Sequence, residues 1–226
     1  DECGAPEMFS AGARQIALPG EHGRLSREAL GTYLREARIG VVHAIQPSII
    51  SLTNLTEAGT AYRPDDIAGL TEVARKWGLG VHMDGARFAN AAAHVGATAA
   101  EMSWKAGVEV LTLGTTKSGS FGAETIVAFT PKYNTSLAFL RKRSGHFAPK
   151  SRFLAAQVRA YVEDDLWLAN AKHANRAAQR MAEGLSSIAG VSLVHPTEGN
   201  EVFASMPPSM SDALETAGCK FQRDWR

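Results

Sequence analysis

An α/β fold with a mostly parallel sheet, helices on both faces and a smaller α+β part near the C-terminus is the architecture this sequence predicts. Three observations carry that reading. Short β-branched apolar runs alternate with amphipathic helical stretches through the first two-thirds of the chain. The stretches between the runs are long enough to hold crossover helices, so the strands form βαβ units. After about residue 135 the texture changes to one long helical region, then two strand-like runs and a short helix. The divisions expected are a large domain over 1–140, a connecting helical region over 141–190 and part of a smaller domain over 191–226.

The elements follow in order. "LSREALGTYLREAR" (25–38) spaces its apolar residues as a helix, with Ser26 as N-cap and Glu28 and Glu36 among its acids. "SIISLTNL" (48–55) is short, apolar and β-branched, as a buried strand is. "RPDDIAGLTEVARKWG" (63–78) opens a helix on Pro64 and two acids and stops it on Gly78. "LGVHMD" (79–84) is the next strand, "ARFANAAAHVG" (86–96) a short helix closed by Gly96, and "VEVLTLG" (108–114) and "ETIVAF" (124–129) two more strands. The region 152–190 is helical with a break near Asp164 and Asp165. "VSLVHP" and "NEVFASMP" read as strands, and "SDALETAG" as a helix. The terminal "KFQRDWR" reads as a strand or the approach to one, and the start, "DECGAPEMF", has no initiating methionine and no lead-in to an element. No internal repeat or low-complexity segment stands out.

Composition narrows the function classes. The chain has 226 residues, 45% apolar and 21% charged, as a soluble globular protein does. Lys and Arg total 24 against 23 Asp and Glu, so no global field recruits nucleic acid or an anionic membrane. The densest basic run, "RKRSGH" (141–146), lacks interleaved aromatics and reads as a solvated helix end. Two cysteines, Cys3 and Cys219, make no disulfide framework, which favours a reducing, cytoplasmic location. No apolar run has the length to span a bilayer, and no signal peptide is visible.

Candidate chemistry sits at strand ends, where ligands of open α/β sheets bind. Asp84 ends one strand, with Arg87 three residues on, and Lys117 stands in the turn "GTTKSGS" (114–120) that ends the next. A carboxylate leaving an apolar strand is costly unless a cation meets it. Each of these residues also has a plain reading. Asp84 caps the following helix, Arg87 pairs with Asp84, and Lys117 is a solvated loop lysine. His82 shares a strand face with Asp84. His82 and His43 read as satisfied core histidines rather than metal ligands, since no third ligand has suitable spacing.

The lysine turn is not a Walker loop. Thr116 precedes the lysine where glycine is needed, and Leu111 stands at the first glycine position. "GSFGAE" is likewise not a dinucleotide fingerprint. Pyridoxal phosphate fits better, because it needs a lysine for its imine and an acid beside its pyridine nitrogen. Asp84 and Lys117 meet both needs. Thr115, Thr116, Ser118 and Gly119 are small enough to let the cofactor near the backbone and to donate to its phosphate.

"HMDGARFANA" and "MSWKAGVEVLTLGTTKSGSFGAETIVAF" resemble the threonine aldolase (β-eliminating lyase) family of fold-type I pyridoxal-phosphate enzymes, in its bacterial low-specificity branch. "DECGAPEMFSAGARQIALPGEHGRLS", "PSIISLTNLTEAGTAY" and "RKRSGHFAPKSRFLAAQ" extend the likeness over essentially the whole chain. The resemblance implies that Lys117 carries the cofactor imine, that Asp84 holds the pyridine nitrogen, and that Arg87 lies near the 3-hydroxyl and the substrate carboxylate. Thr116 and His82 complete the cofactor contacts it implies.

The implied reaction is retro-aldol cleavage of β-hydroxy-α-amino acids, such as threonine to glycine and acetaldehyde, in a homodimer or homotetramer without a metal. Phenylserine, a β-elimination, or a non-catalytic partner or scaffold subunit are the alternatives. The family also carries a phosphate cup and a stacking ring before "DECGAP", and an arginine for the substrate carboxylate after Arg226. The chain as written is therefore expected to be impaired. Some members place a histidine at the position of Thr56, so that base is not available here.

Overall fold

In the computed structural model, which describes residues 2–223, the centre of the molecule is a four-stranded sheet. Its strands are β1 (Ile49–Thr53), β2 (Gly80–Gly85), β3 (Val110–Gly114) and β4 (Glu124–Ala128), side by side in chain order. β1, β2 and β3 run parallel, with Thr53 opposite Asp84 and Asp84 opposite Thr112. β4 returns antiparallel to β3. Residues 115–123 are too few for a crossover of a dozen or more, so this pair closes as a hairpin instead of a βαβ unit.

The helices are α1 (Ala5–Phe9), α2 (Arg27–Glu36), α3 (Pro64–Lys76), α4 (Phe88–Val95), α5 (Asn134–Arg143), α6 (Arg152–Val162), α7 (Leu166–Ser186) and α8 (Pro208–Thr216). Their ends obey local chemistry. Ser26 Oγ accepts from the Ala29 amide at 3.0 Å, as an N-cap does, and the Asp66 carboxylate takes the Arg63 amide at 3.0 Å to start α3. α4 stops on Gly96, whose φ of 72° is open to glycine at little cost. The expected break lies between α6 and α7, where Asp164 and Asp165 both take positive φ, and short polar side chains tolerate that region best after glycine.

The core occupies one side of the sheet. Ile50, Leu52, Val81, Met83 and Leu111 point to it and meet Leu30 and Leu34 of α2, Ile67 and Leu70 of α3, and Phe88 and Ala91 of α4. Burying each large apolar side chain stabilises by about 1.5–3 kcal/mol. α7 closes this layer: Trp167 stacks on Phe88 with ring centroids 6.3 Å apart, and Asn90 and Asn175 exchange two hydrogen bonds of 2.9 Å.

Of the two helical layers expected, the described residues supply this one. The crossovers through α3 and α4 step the same way across the sheet, and crossovers of one hand put both helices on one face. The other face carries Ser51, His82, Asp84 and Thr112, with Ile49 and Ile126 exposed.

Towards the C-terminus, β5 (Ser192–Leu193) and β6 (Ala204–Ser205) pair antiparallel and α8 follows. The two strands and the helix expected there are present, the strands much shorter than their apolar runs. Of the terminal strand expected over 220–226, Lys220–Arg223 are irregular and the rest lies outside the described residues. The basic run does end α5, but aromatics flank it. Arg141 and Lys142 lie 4.9 and 5.4 Å from the centroid of the Phe147 ring. Cys3 and Cys219 are free and exposed. No helix among the described residues is long and apolar enough to cross a membrane.

Gly114 ends β3 against the turn that follows β2. A Cβ there would stand 2.8 Å from Ala86 Cα and 3.2 Å from Ala86 O, both backbone. The substitution Gly114→Ala is expected to destabilise the fold by about 1–3 kcal/mol, as overpacking does. A urea titration read by circular dichroism checks this, and an unchanged midpoint refutes it.

Candidate active site

Two neighbouring turns form the centre of the site. β2 and β3 are adjacent and parallel, so the turn after Asp84 and the turn holding Lys117 leave the sheet at the same edge, one strand spacing apart. Gly85 lets them approach, since a Cβ on it would stand 2.8 Å from both Leu111 Cδ1 and Thr112 O.

Asp84 is half-buried on the open face. Its Oδ1 accepts from the Ala86 amide at 2.9 Å, and its backbone carbonyl accepts from Asn54 N at 2.9 Å. The carboxylate thus braces the turn, while Arg87 takes the N-cap position of α4. Oδ2 has no hydrogen-bond partner among the described residues, so one acceptor stays open.

His82 lies two residues back on the same face, bridging Ser51 Oγ at 2.8 Å and Thr112 Oγ1 at 3.4 Å across three strands. Burial holds its pKa below the ordinary histidine value, against the opposing pull of Asp84. It is satisfied, as the plain reading expects, but outside the core. His43 is exposed, so the core reading fails for it.

Lys117 is exposed in a short 3-10 turn, Thr116–Ser118, and forms no salt bridge among the described residues. The turn is fastened from all sides. Thr115 is buried and donates to Ala123 O, and its hydroxyl lies 2.5 Å from that of Ser120. Thr116 Oγ1 donates to Glu124 Oε1 at 2.7 Å. Asn170 of α7 donates to Ser118 O at 3.0 Å, and Gln157 of α6 accepts from the amides of Phe121 and Gly122. Tyr161 of α6 is buried beside Ser118, and that burial raises its pKa. The hydroxyls of Thr115 and Thr116, expected to donate to a cofactor phosphate, are therefore engaged in holding the lysine turn.

Arg87 does not pair with Asp84. Its Nη2 lies 2.6 Å from Glu201 Oε1, in a pair whose side chains are each about four-fifths buried. Burial raises the Glu201 pKa; Arg87 opposes that shift, Glu57 adds to it and Lys117 opposes it. Arg87 Nε and Glu201 Oε2 are buried and without partners.

Glu201 escaped the sequence reading. Its one trace is a charge inside the apolar run "NEVFASMP". The segment carrying it is tied to the loop after β1: the Glu198 carboxylate accepts from Ala61 N at 2.8 Å, and its amide donates to Gly59 O at 3.2 Å. In that loop Thr56 and Thr60 share a 2.8 Å hydrogen bond, and Thr60 donates to His22 O at 2.6 Å.

These groups fit pyridoxal phosphate at two points. An unpaired primary amine and a carboxylate with one open oxygen stand at the same sheet edge, which the imine and the pyridine nitrogen require. The Thr115 and Thr116 hydroxyls are bonded within the hairpin, to Ala123 O and Glu124 Oε1.

Comparison with known proteins finds threonine aldolases among the relatives of this chain. The chain is 40% identical over 221 residues to the low specificity L-threonine aldolase of Pseudomonas aeruginosa, covering 98% of this chain and 63% of that protein. It is 38% identical, with the same coverage, to the enzyme of that name from Pseudomonas sp. strain NCIMB 10558. The chain thus spans 63% of the length of these curated relatives. The solved threonine aldolase of Leishmania major superposes with a TM-score of 0.81 at 23% identity, over 92% of this chain and 60% of that one. At that identity the likeness shows the fold, which is of fold type I. The beta-eliminating lyase family matches residues 1–207, and the chain belongs to that family.

Proposed function

We propose that this chain supplies the reaction centre of a pyridoxal-phosphate-dependent aldehyde-lyase that cleaves β-hydroxy-α-amino acids, threonine and allo-threonine among them, to glycine and an aldehyde. One observation carries the reading. The Lys117 amine and the open oxygen of Asp84 sit at adjacent parallel strand ends, and six hydrogen bonds hold the lysine turn in place.

The bound cofactor supplies an electron sink for the pair released at Cα. The chain's own residues do the rest. Lys117 presents its amine at the sheet edge to hold the cofactor. Asp84 Oδ2 would hold the cofactor's protonated pyridine nitrogen, while Oδ1, fixed by the Ala86 amide, keeps the carboxylate from turning away. His82, locked between Ser51 and Thr112, orients the strand beside Asp84 as a positioning residue. Arg87 retains donors beyond the one engaged by Glu201, and offers them to an anionic oxygen of cofactor or substrate. Thr116 keeps the lysine turn against Glu124. Residues 1–140 hold this centre, 141–190 connect it, and 191–226 return Glu201 to it.

The test is direct. Pyridoxal phosphate is added to the purified chain and to Lys117→Ala, the visible absorbance is recorded, and the adduct is trapped with borohydride and mapped. An adduct on Lys117, absent from the variant, is expected. Labelling spread over other lysines, or no adduct, refutes the assignment.

A second measurement addresses Asp84. A hydrogen bond to a charged group contributes about 1.5–3 kcal/mol. Asp84→Asn is therefore expected to weaken cofactor affinity by roughly ten- to a hundredfold while leaving Lys117 as the attachment point. An unchanged affinity in a fluorescence titration removes Asp84 from the site.

A further inference from the structure

The Arg87–Glu201 pair has a feature that an ordinary ion pair lacks. Arg87 Nε is a buried donor and Glu201 Oε2 a buried acceptor, and neither has a partner. An unpaired buried polar atom carries a desolvation penalty that a hydrogen bond removes. The two atoms belong to side chains joined at 2.6 Å through Nη2 and Oε1, so they share one buried neighbourhood. A hydroxyl accepts one hydrogen bond and donates another, so the O–H of a ligand, like a water, matches the two atoms together. A carboxylate fails this match, since it has no proton for Oε2, and an ammonium fails it, since it has no acceptor for the Nε–H.

We infer that Arg87 Nε and Glu201 Oε2 form the niche for the β-hydroxyl of the substrate, with Glu201 the group that takes its proton. This rests on the reaction proposed above and names the residue responsible for its β-hydroxyl requirement. In the step, the hydroxyl proton passes to Glu201 Oε2, and the O–H electron pair becomes the second bond of the aldehyde carbonyl. The Cα–Cβ bond breaks and its electron pair stays on Cα, where a proton from solvent completes glycine, while Glu201 releases to solvent the proton it took, so that the balance is one proton in and one out.

The surroundings suit the role. Glu201 faces Arg87 from the start of α4, Lys117 from the turn after β3 and Glu57 from the loop after β1. Its burial favours the protonated form and so makes the carboxylate a stronger base, while Arg87 keeps the charged form accessible. Thr56, in the loop after β1, has its hydroxyl engaged with Thr60.

The experiment uses the cofactor-loaded chain and its Glu201→Gln variant, and compares L-threonine with L-2-aminobutyrate, the analogue without the hydroxyl. In the parent chain threonine is expected to bind about ten- to a hundredfold more tightly, read from the cofactor absorbance, and Glu201→Gln to lose most of that preference. The same variant is expected to cleave threonine about a hundred- to ten-thousandfold more slowly. Exchange of the glycine α-proton with solvent deuterium, which involves no hydroxyl, is expected to stay within about threefold.

Without any variant, the parent's cleavage is expected to fall, as pH is lowered, at a value above the ordinary carboxylate range, while its glycine exchange lacks that limb. Equal binding of the two amino acids in the parent overturns the inference. So does an equal loss of cleavage and exchange in Glu201→Gln, which marks a structural role, or a cleavage without that acid limb. A parent chain that forms no Lys117 adduct overturns the proposed function itself, and the inference with it.

Discussion

The parallel pairing of β2 with β3 is the constraint on which the rest of the molecule depends. It sets Asp84 opposite Thr112, so the two chains leave the sheet together and their first turns must share one narrow space. Glycine stands at both contact points because the neighbours of Gly85 and Gly114 include main-chain atoms under 3 Å from any added Cβ. A side chain there is not accommodated by rotating a neighbour; the strands themselves have to move. The carboxylate and the amine are therefore held together by the backbone, before any side-chain interaction contributes.

Polar side chains then fix what the backbone has brought close. The lysine turn has no helix of its own and lies at the surface, where a free loop samples many conformations. Thr115, Thr116, Gln157 and Asn170 remove that freedom with hydrogen bonds drawn from the hairpin, α6 and α7. The break at Asp164 and Asp165 contributes to this, because one uninterrupted helix would not bring both Gln157 and Asn170 to the same turn. Ordering a backbone residue costs about 1–2 kcal/mol. Bonds worth about 0.5–1.5 kcal/mol each therefore have to act several at a time. That count explains why the small hydroxyl residues around Lys117 serve the turn and leave Lys117 itself unpaired.

Much of this was legible in the sequence because it rests on local rules. The strand and helix order follows from period and caps: Ser26, Pro64, Gly78 and Gly96 mark ends that the structure keeps. The strand-end positions of Asp84 and Lys117 follow from the same pattern. The antiparallel return of β4 was also implicit in the short 115–123 connection, although the apolar run alone does not give direction. Glu201 was not legible, since it meets Arg87 across more than a hundred residues of chain and no spacing rule links them. The partners of Thr115 and Thr116 were not legible for a related reason. A hydroxyl in a glycine-rich turn has the same appearance whether it faces a ligand or its own hairpin, and only the positions of Ala123 and Glu124 decide.

The strength of the site depends on the polar face of the sheet. Asp84 and His82 project from the side that no helix covers among the described residues, whereas Arg87 and Glu201 are largely shielded. Two unit charges 4 Å apart attract by about 1 kcal/mol in water and about 4 kcal/mol at the effective dielectric of a protein surface. A cation held at Asp84 Oδ2 against the bare face gains a value near the first figure, and one held under cover a value near the second. That difference is about two factors of ten in an equilibrium constant. The geometry of Asp84 and Lys117 therefore specifies where a pyridine ring binds, and the exclusion of water from the row Ser51, His82, Asp84 and Thr112 determines how tightly.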